Sequence, residues 1–535
     1  MKNLFTFFIL SLLALATTTN CARKGSPTGG PKDTLSPVMV TANPAYESTN
    51  FKAKKIKLNF DEYIKFKDLN KQLIVSPPLK HQSVITPVGT ASKKIEIEII
   101  DTLKENTTYS FNFGNSIVDN NEGNELGSFK YVFSTGDYVD SLEIYGSASD
   151  AFEMETEKEI SILLYEIDEN YTDSIIYKEK PMYLTNTLDT IIFDITNIKS
   201  GTYQLIALKD YNNNYIYDPN DDKIGFADTP IEIPTDSVFT LQLFNEIPTF
   251  KLKRPLEKRM GKVIFGYRGK KENLSIELLT ETPKGFKSFV NKEKDKDTLN
   301  FWFSPFETDS LQFRVQRDTL DKLYTVMLRT KKRDSLSLEA PISGNINPKD
   351  TFYLESNVPM EAIDPSKIYI SDQDTLAVDF KTILNPSKTK LAIDFDRVRN
   401  GKYQIDMLPE AIVGFFGKSN DTLQYILRTK DIEDFGIFEL QLNNPSNKHL
   451  IVDLITEKGA LETQRFTSES TAFSFEDLQP KTYFVRIIFD ENNNKKWDTG
   501  NFLKKIQPEK VYYYPVEIKL KANWTINEVI DVSSL

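Results

Sequence analysis

Short stretches in which every second residue is apolar recur along most of the chain. Ile56, Leu58 and Phe60 alternate with polar residues, as do Ile95, Ile97 and Ile99, then Tyr109, Phe111 and Phe113. Farther on, Ile160, Ile162 and Leu164 repeat the pattern, followed by Tyr203, Leu205 and Ala207. Successive side chains of a strand point to opposite faces, so a period of two puts one face on a core and the other in water. Runs this short, broken by Asn, Gly and Pro clusters, predict antiparallel β-sandwiches. Apolar material is ample for packed cores, with 36 Phe and 24 Tyr in a 39% hydrophobic chain of 535 residues, unlike a disordered polypeptide.

The pattern also repeats at long range. Tyr425, Thr429 and Asp431 match Tyr131, Thr135 and Asp137 as Tyr-x-x-x-Thr-x-Asp, and Tyr403 matches Tyr109, all 294 positions apart. Ile412-Val413 and Gly417 match Ile117-Val118 and Gly123 within one position of the same register. A second register of 280 relates Thr482-Tyr483 and Asp490 to Asn494 with Thr202-Tyr203 and Asp210 to Asn214. Two registers held this well predict an all-β chain of tandem sandwiches in the order A-B-C-A-B. The expected boundaries are 37–137, 138–250, 251–337, 338–431 and 432–535.

Ahead of these lies an address. Lys2, the apolar stretch Leu4 to Ala16, and Thr17 to Asn20 have the layout of a secretory signal peptide over residues 1–20; the apolar run is too short to span a bilayer. Cys21 follows at the cleavage point, as in a bacterial lipoprotein, and acyl chains bury CH₂ groups at about 0.8 kcal/mol each. Residues 21–36, rich in Gly, Pro and Ser, read as a lipidated flexible tether. Cys21 is the one cysteine in the chain, so the fold must rest on core burial and not on disulfides.

Charge and histidine content narrow the function. A net charge of −11 argues against nucleic acid as a partner, since phosphate binding needs concentrated Lys and Arg. The exception is Lys251 to Lys271, with nine basic residues and one acid, Glu257. His81 and His449 are the two histidines, which disfavours Ser-His-Asp triads and His-rich metal sites. Asp61 and Glu62 are adjacent carboxylates after a strand; adjacent strand residues point to opposite faces, so they could not serve there as a paired acid and base, and they read as a turn.

Cys21 to Pro37, together with Asn43-Pro44, Asn50-Phe51 and Ile56 to Glu62, resembles a largely uncharacterised lipoprotein family of Bacteroidetes. Its members open Cys-Ala-x-x-Gly-x-Pro-Thr-Gly-Gly-Pro-Lys-Asp and continue into an Ig-like domain of the type named for the S-layer protein SbsA. The likeness covers residues 21–136; the second and fifth units look like carbohydrate-binding-like or transthyretin-like sandwiches. It implies a non-enzymatic protein of the cell envelope, anchored in the outer membrane. Ala22 to Ser26 lacks the acidic residues of surface-exported lipoproteins of that phylum, which favours the periplasmic face.

Two sets of candidate sites remain. Asp210, Asn212, Asn214 and Asp218, and likewise Asp490, Asn492, Asn494 and Asp498, space oxygens as a structural Ca²⁺ loop would. Tyr215 and Lys495 stand where such a loop wants glycine, and Asn-rich hairpins capping their own backbone give the same pattern. Asp followed by Ser or Thr and an aliphatic residue recurs, and resembles an O-glycosylation sequon of that phylum. It would place glycans on Thr34, Thr102, Ser141, Ser174, Thr190, Ser237, Thr298, Ser310, Thr319, Ser335, Thr375 and Thr422; hairpins generate the same tripeptide. No catalytic constellation stands out, and no cofactor is required. The expected function is that of a structural or protein-binding module with an envelope protein as partner. The alternative is a carbohydrate-binding lipoprotein using Tyr215, Tyr217, Trp497 or Trp524.

Overall fold

The computed structural model describes residues 33–347 and 350–535. The signal segment, Cys21 and the tether up to Lys32 lie outside the described residues. The chain divides into two compact units: one runs to Glu143 and includes Met182–Thr185 and Ile195–Ser200, and the other holds Ile144–Pro181, Asn186–Asp194 and Gly201–Leu535.

In the first unit, alternation builds a sandwich as expected. One sheet runs in the order Met39–Asn43, Lys55–Phe66, Ser92–Glu98, Val84–Thr86; the other joins Ile74–Ser76, Thr108–Asn112 and Lys130–Ser134. Ile56, Leu58, Ile95 and Ile97 face Phe111, Phe113 and Phe133 in one core, and Phe51 stacks on Phe133 at 3.8 Å. Asp61 and Glu62 correct an expectation, because they lie inside the strand Lys55–Phe66 and form no turn. That strand changes partner midway, pairing with Ser92–Glu98 and then with Ile117–Asp119 across an irregularity between Asn59 and Ile64. A bulge of this kind lets one strand serve two neighbours, and the Asp61 carboxylate accepts the Val38 N–H there at 2.8 Å.

The second unit holds tandem sandwiches. In the second sandwich of the chain, Gly201–Lys209 is central, between Ser161–Glu166 and Lys223–Phe226, while Val238–Leu243 runs parallel to Leu142–Asp150. The third packs Lys262–Arg268, Thr298–Phe303 and Ser288–Lys292 against Ser275–Leu278, Ser310–Arg317 and Leu320–Met327. The fourth packs Phe352–Ser356, Lys390–Phe395 and Phe380–Leu384 against Leu423–Thr429, Lys402–Met407 and Ile368–Ser371. In the fifth, Thr482–Phe489 is central, between Leu450–Thr456 and Val511–Tyr513, and Thr525–Asp531 runs parallel to Gly436–Asn443.

Corresponding residues make corresponding bonds. The Tyr109 hydroxyl accepts the Lys104 N–H at 2.9 Å and the Tyr403 hydroxyl accepts the Val398 N–H at 2.7 Å. Thr135 donates to the Lys104 carbonyl and Thr429 to the Val398 carbonyl. Thr135 follows the strand Lys130–Ser134 and Thr429 ends the strand Leu423–Thr429, so an equivalent threonine pins the same corner of backbone in both sandwiches.

Several strands depart from simple alternation. Tyr203 to Leu208 and Leu450 to Ile455 are buried on both faces. Strands covered on both sides are apolar along most of their length, here interrupted by Gln204 and Asp453.

Candidate functional site

Each of the two central strands runs directly into an aspartate that folds the next loop. Asp210 Oδ1 accepts from the Asn212 N–H at 3.0 Å and Oδ2 from the Tyr215 N–H at 2.6 Å. Asp490 Oδ1 accepts from the Asn494 N–H at 3.0 Å and Oδ2 from the Lys495 N–H at 2.8 Å. Tyr215 and Lys495 adopt φ of 59° and 63°, a left-handed turn at the position where glycine would be easiest. Asn214 and Asn494 each accept from the N–H two residues on, at 2.8 Å in both loops. Asp498 Oδ2 accepts the side-chain amides of Asn492 and Asn494, whereas Asp218 Oδ1 accepts the Asn220 N–H.

A second carboxylate closes each loop, and the sequence pattern missed both. Asp222 accepts the N–H groups of Tyr211 and Asp218, and Glu509 those of Glu491 and Asp498. Burial pushes both carboxyls above their usual range, with Asp210 and Asp218 adding to the shift at Asp222, and Asp498 and Asp490 at Glu509. Asp222 and Glu509 lie past the nine-residue motif, Glu509 by eleven positions, so no local spacing marks them. Among the described residues no three or more His, Cys, Asp or Glu side chains are gathered as metal ligands.

Beside these loops the second and fifth sandwiches meet. Glu246 Oε1 accepts the Phe502 N–H at 2.6 Å and Oε2 the Tyr217 hydroxyl at 3.0 Å. Thr499 donates to the Asn245 carbonyl at 2.6 Å, Gln507 to the Phe226 carbonyl at 2.9 Å, and Lys505 pairs with Asp173 at 2.8 Å. The fully buried Phe502 ring meets Phe226 edge-on at 5.3 Å. Gly500 fits because it has no side chain: a Cβ there would stand 2.6 Å from both the Ile506 carbonyl oxygen and the Phe244 ring. Tyr513 donates to the Phe152 carbonyl at 2.6 Å, and the Arg486 guanidinium, paired to buried Asp453 at 2.8 Å, lies 4.2 Å from the Phe152 ring centre.

Neighbours along the chain touch as well. Arg268 faces Asp221 at 3.6 Å, Lys294 pairs with Glu355 at 2.9 Å, and Arg399 pairs with Asp477 at 2.7 Å. The second sandwich thus meets the third, the third the fourth, the fourth the fifth, and the fifth returns to the second.

The aromatic candidates separate. Tyr217 is 3% exposed and belongs to the interior, so it offers no ligand platform; Tyr215 is half-buried. Trp524 is 52% exposed, with the Lys521 ammonium 4.7 Å from its ring. Trp497 is half-buried, donates its indole N–H to the Glu509 carbonyl at 2.9 Å and packs on Phe152 at 4.7 Å. It lines a cleft of ≈ 620 Å³ together with Asn220, Arg268, Lys270, Asp297 and Asp498.

The remaining candidates lie apart. Of the Asp-Ser/Thr positions, Ser174, Thr298 and Ser310 are half-buried, and Thr34, Thr102, Ser141, Thr190, Ser237, Thr319, Ser335, Thr375 and Thr422 are exposed. The basic stretch supplies the strands Lys251–Leu252, Leu256–Arg259 and Lys262–Arg268, and Arg259 and Lys262 pair with Asp334 and Glu293. His81 Nδ1 meets Asp101 at 2.5 Å.

None of the curated proteins matches this chain. Solved structures that resemble it include the S-layer protein rSbsC(31-844), at 11% identity and a TM-score of 0.16, covering 91% of this chain and 67% of that one. BcpA, the major pilin subunit of Bacillus cereus, has 9% identity and a TM-score of 0.14, covering 73% of this chain and 99% of that one. The Bacteroides ovatus protein SGBP-B of a mixed-linkage glucan utilization locus, solved with a mixed-linkage heptasaccharide, has 10% identity and a TM-score of 0.17, covering 71% and 92%. Scores this low carry no argument about this chain. Residues 33–135 match the bacterial Ig-like domain family.

Proposed function

We propose that this chain is a lipid-anchored protein of the cell envelope that acts as a structural or protein-binding scaffold of five sandwiches in A-B-C-A-B order, without catalysis. One observation carries the reading: the second and fifth sandwiches, far apart in sequence, are bonded to each other through Glu246, Asn245, Phe226 and Asp173. Cross-bracing stiffens the second to fifth sandwiches as a group, and stiffness lowers the entropy lost when a partner binds. The signal segment and Cys21 support an outer-membrane anchor, and the absence of acids after Cys21 supports the periplasmic face. The partner is another envelope protein.

In-cell crosslinking of the tagged full chain, followed by mass spectrometry, tests this reading. One dominant envelope protein is expected; retention of polysaccharide with no protein partner would refute it. Cys21→Ser is expected to release the chain from the membrane fraction. Intact mass from the native host tests glycans on the Asp-Ser/Thr positions, and a mass equal to sequence plus lipid would exclude them.

A second reading, a carbohydrate-binding lipoprotein, is favoured by one observation: of the four aromatic candidates, Trp497 lines a cleft.

A further inference from the structure

The Trp497 cleft lies where three sandwiches converge. The second contributes Asn220, the third Arg268, Lys270 and Asp297, and the fifth Trp497 and Asp498. Clefts that bind small molecules pair an apolar surface with a few convergent polar groups, and this one has both. The indole is held on one side by Phe152 and at its N–H by the Glu509 carbonyl, so its plane is fixed before anything binds. A fixed platform loses little entropy on binding.

The polar groups are of both signs. Arg268 and Lys270 stand against Asp297, Asp498 and Glu246, and both oxygens of Glu246 are already engaged. Asp297 is 58% exposed at its side chain and meets only Lys292, at 3.9 Å, among the ion pairs of the described residues. Lys270 is exposed. A formal excess of one negative charge disfavours an anionic ligand. Carboxylate acceptors beside cationic donors suit hydroxyl groups, each of which both donates and accepts, and the indole suits the CH face of a sugar ring.

We propose that this cleft binds a neutral oligosaccharide, seated on Trp497 and hydrogen-bonded by Asp297, Lys270 and Arg268. The proposal rests on the carbohydrate-binding reading and gives it a site. The test applies the mature full chain to an array of neutral and uronic-acid oligosaccharides, then titrates the best neutral one. Neutral oligosaccharides should be retained, and Asp297→Ala and Lys270→Ala, both at exposed positions, should each raise Kd at least tenfold with an unchanged melting temperature. Trp497→Ala should abolish binding. Neutral binding that all three variants leave intact would overturn the cleft while leaving carbohydrate binding in place. Retention of uronic-acid oligosaccharides only would overturn the neutral-ligand cleft while leaving carbohydrate binding in place, and no retention at all would overturn both.

Discussion

The backbone N–H of Phe502 donates to Glu246 Oε1 at 2.6 Å, across 256 positions of sequence. Glu246 is 7% exposed, and its other oxygen takes the Tyr217 hydroxyl. One buried carboxylate therefore serves the interior of the second sandwich and a loop of the fifth. Hydrogen bonds to a charged group are worth about 1.5–3 kcal/mol each, and buried donors left without partners add to the cost of losing them. Glu246→Ala is expected to cost about 2–3 kcal/mol and to speed hydrogen exchange at Phe502 in the full chain. Unchanged protection there would show that the contact carries little.

Gly500 tests the same docking by shape. A methyl group would meet the Phe244 ring and the Ile506 carbonyl, and the carbonyl cannot yield without moving backbone. Gly500→Ala should destabilise by about 1–3 kcal/mol and should make the loop from 499 to 507 more sensitive to protease. Denaturant unfolding and limited proteolysis read the two effects.

Asp453 and Arg486 form an ion pair with 1% and 8% of their side chains exposed, and Gln464 completes the carboxylate's bonding at 2.8 Å. Removing one member of such a pair strands the other charge, at about 3–5 kcal/mol, whereas replacing both with apolar groups can be neutral. Asp453→Ala should therefore be far more damaging than the double change Asp453→Leu with Arg486→Met. Equal losses in equilibrium unfolding would contradict this.

Asp119 links the amino-terminal sandwich to pH. Burial raises its carboxyl, but backbone N–H groups of Asn124, Glu122, Gly123 and Asn121 outweigh this and hold it below its usual value. A depressed acid adds stability that is complete above the unfolded value, near pH 4, and is lost as pH falls through the folded one. Asp119→Asn should lower stability at neutral pH and flatten its decline in acid. Thermal melts from pH 7 to pH 3 check both the loss and the flattening.

The two Asp/Asn loops predict their own response to calcium. Both carboxylate oxygens of Asp210 and of Asp490 already accept backbone N–H groups. Chelation is expected to leave the melting temperature unchanged; a clear fall that Ca²⁺ reverses would assign a structural ion to one or both loops.

What could be read from the sequence was what is local or repeated. Alternation at Ile56, Leu58 and Phe60 marks a strand because the pleat has a period of two, and the 294-residue register pairs Tyr109 with Tyr403, whose hydroxyls make equivalent bonds. The Asp61-Glu62 reading failed because a strand that changes partner midway leaves no break in its sequence. Docking was hidden for another reason. Glu246 and Phe502 are ordinary residues in their own neighbourhoods, and only the fold brings them together. A partial signal existed: Leu205 to Leu208 and Leu450 to Val452 are unbroken apolar runs, as strands covered on both faces require. Trp497 was legible as an aromatic in a polar loop, but its half-burial against Phe152 and its place in a three-sided cleft were not.

The most direct test of the docked arrangement is zero-length coupling of amines to carboxylates in the full chain. Lys505 and Asp173 lie 2.8 Å apart, as do Lys481 and Glu462 within the fifth sandwich. Both pairs should appear as intramolecular crosslinked peptides at comparable yield. Recovery of the Lys481–Glu462 product without any Lys505–Asp173 product would contradict the docking of the second sandwich on the fifth, and with it the braced scaffold.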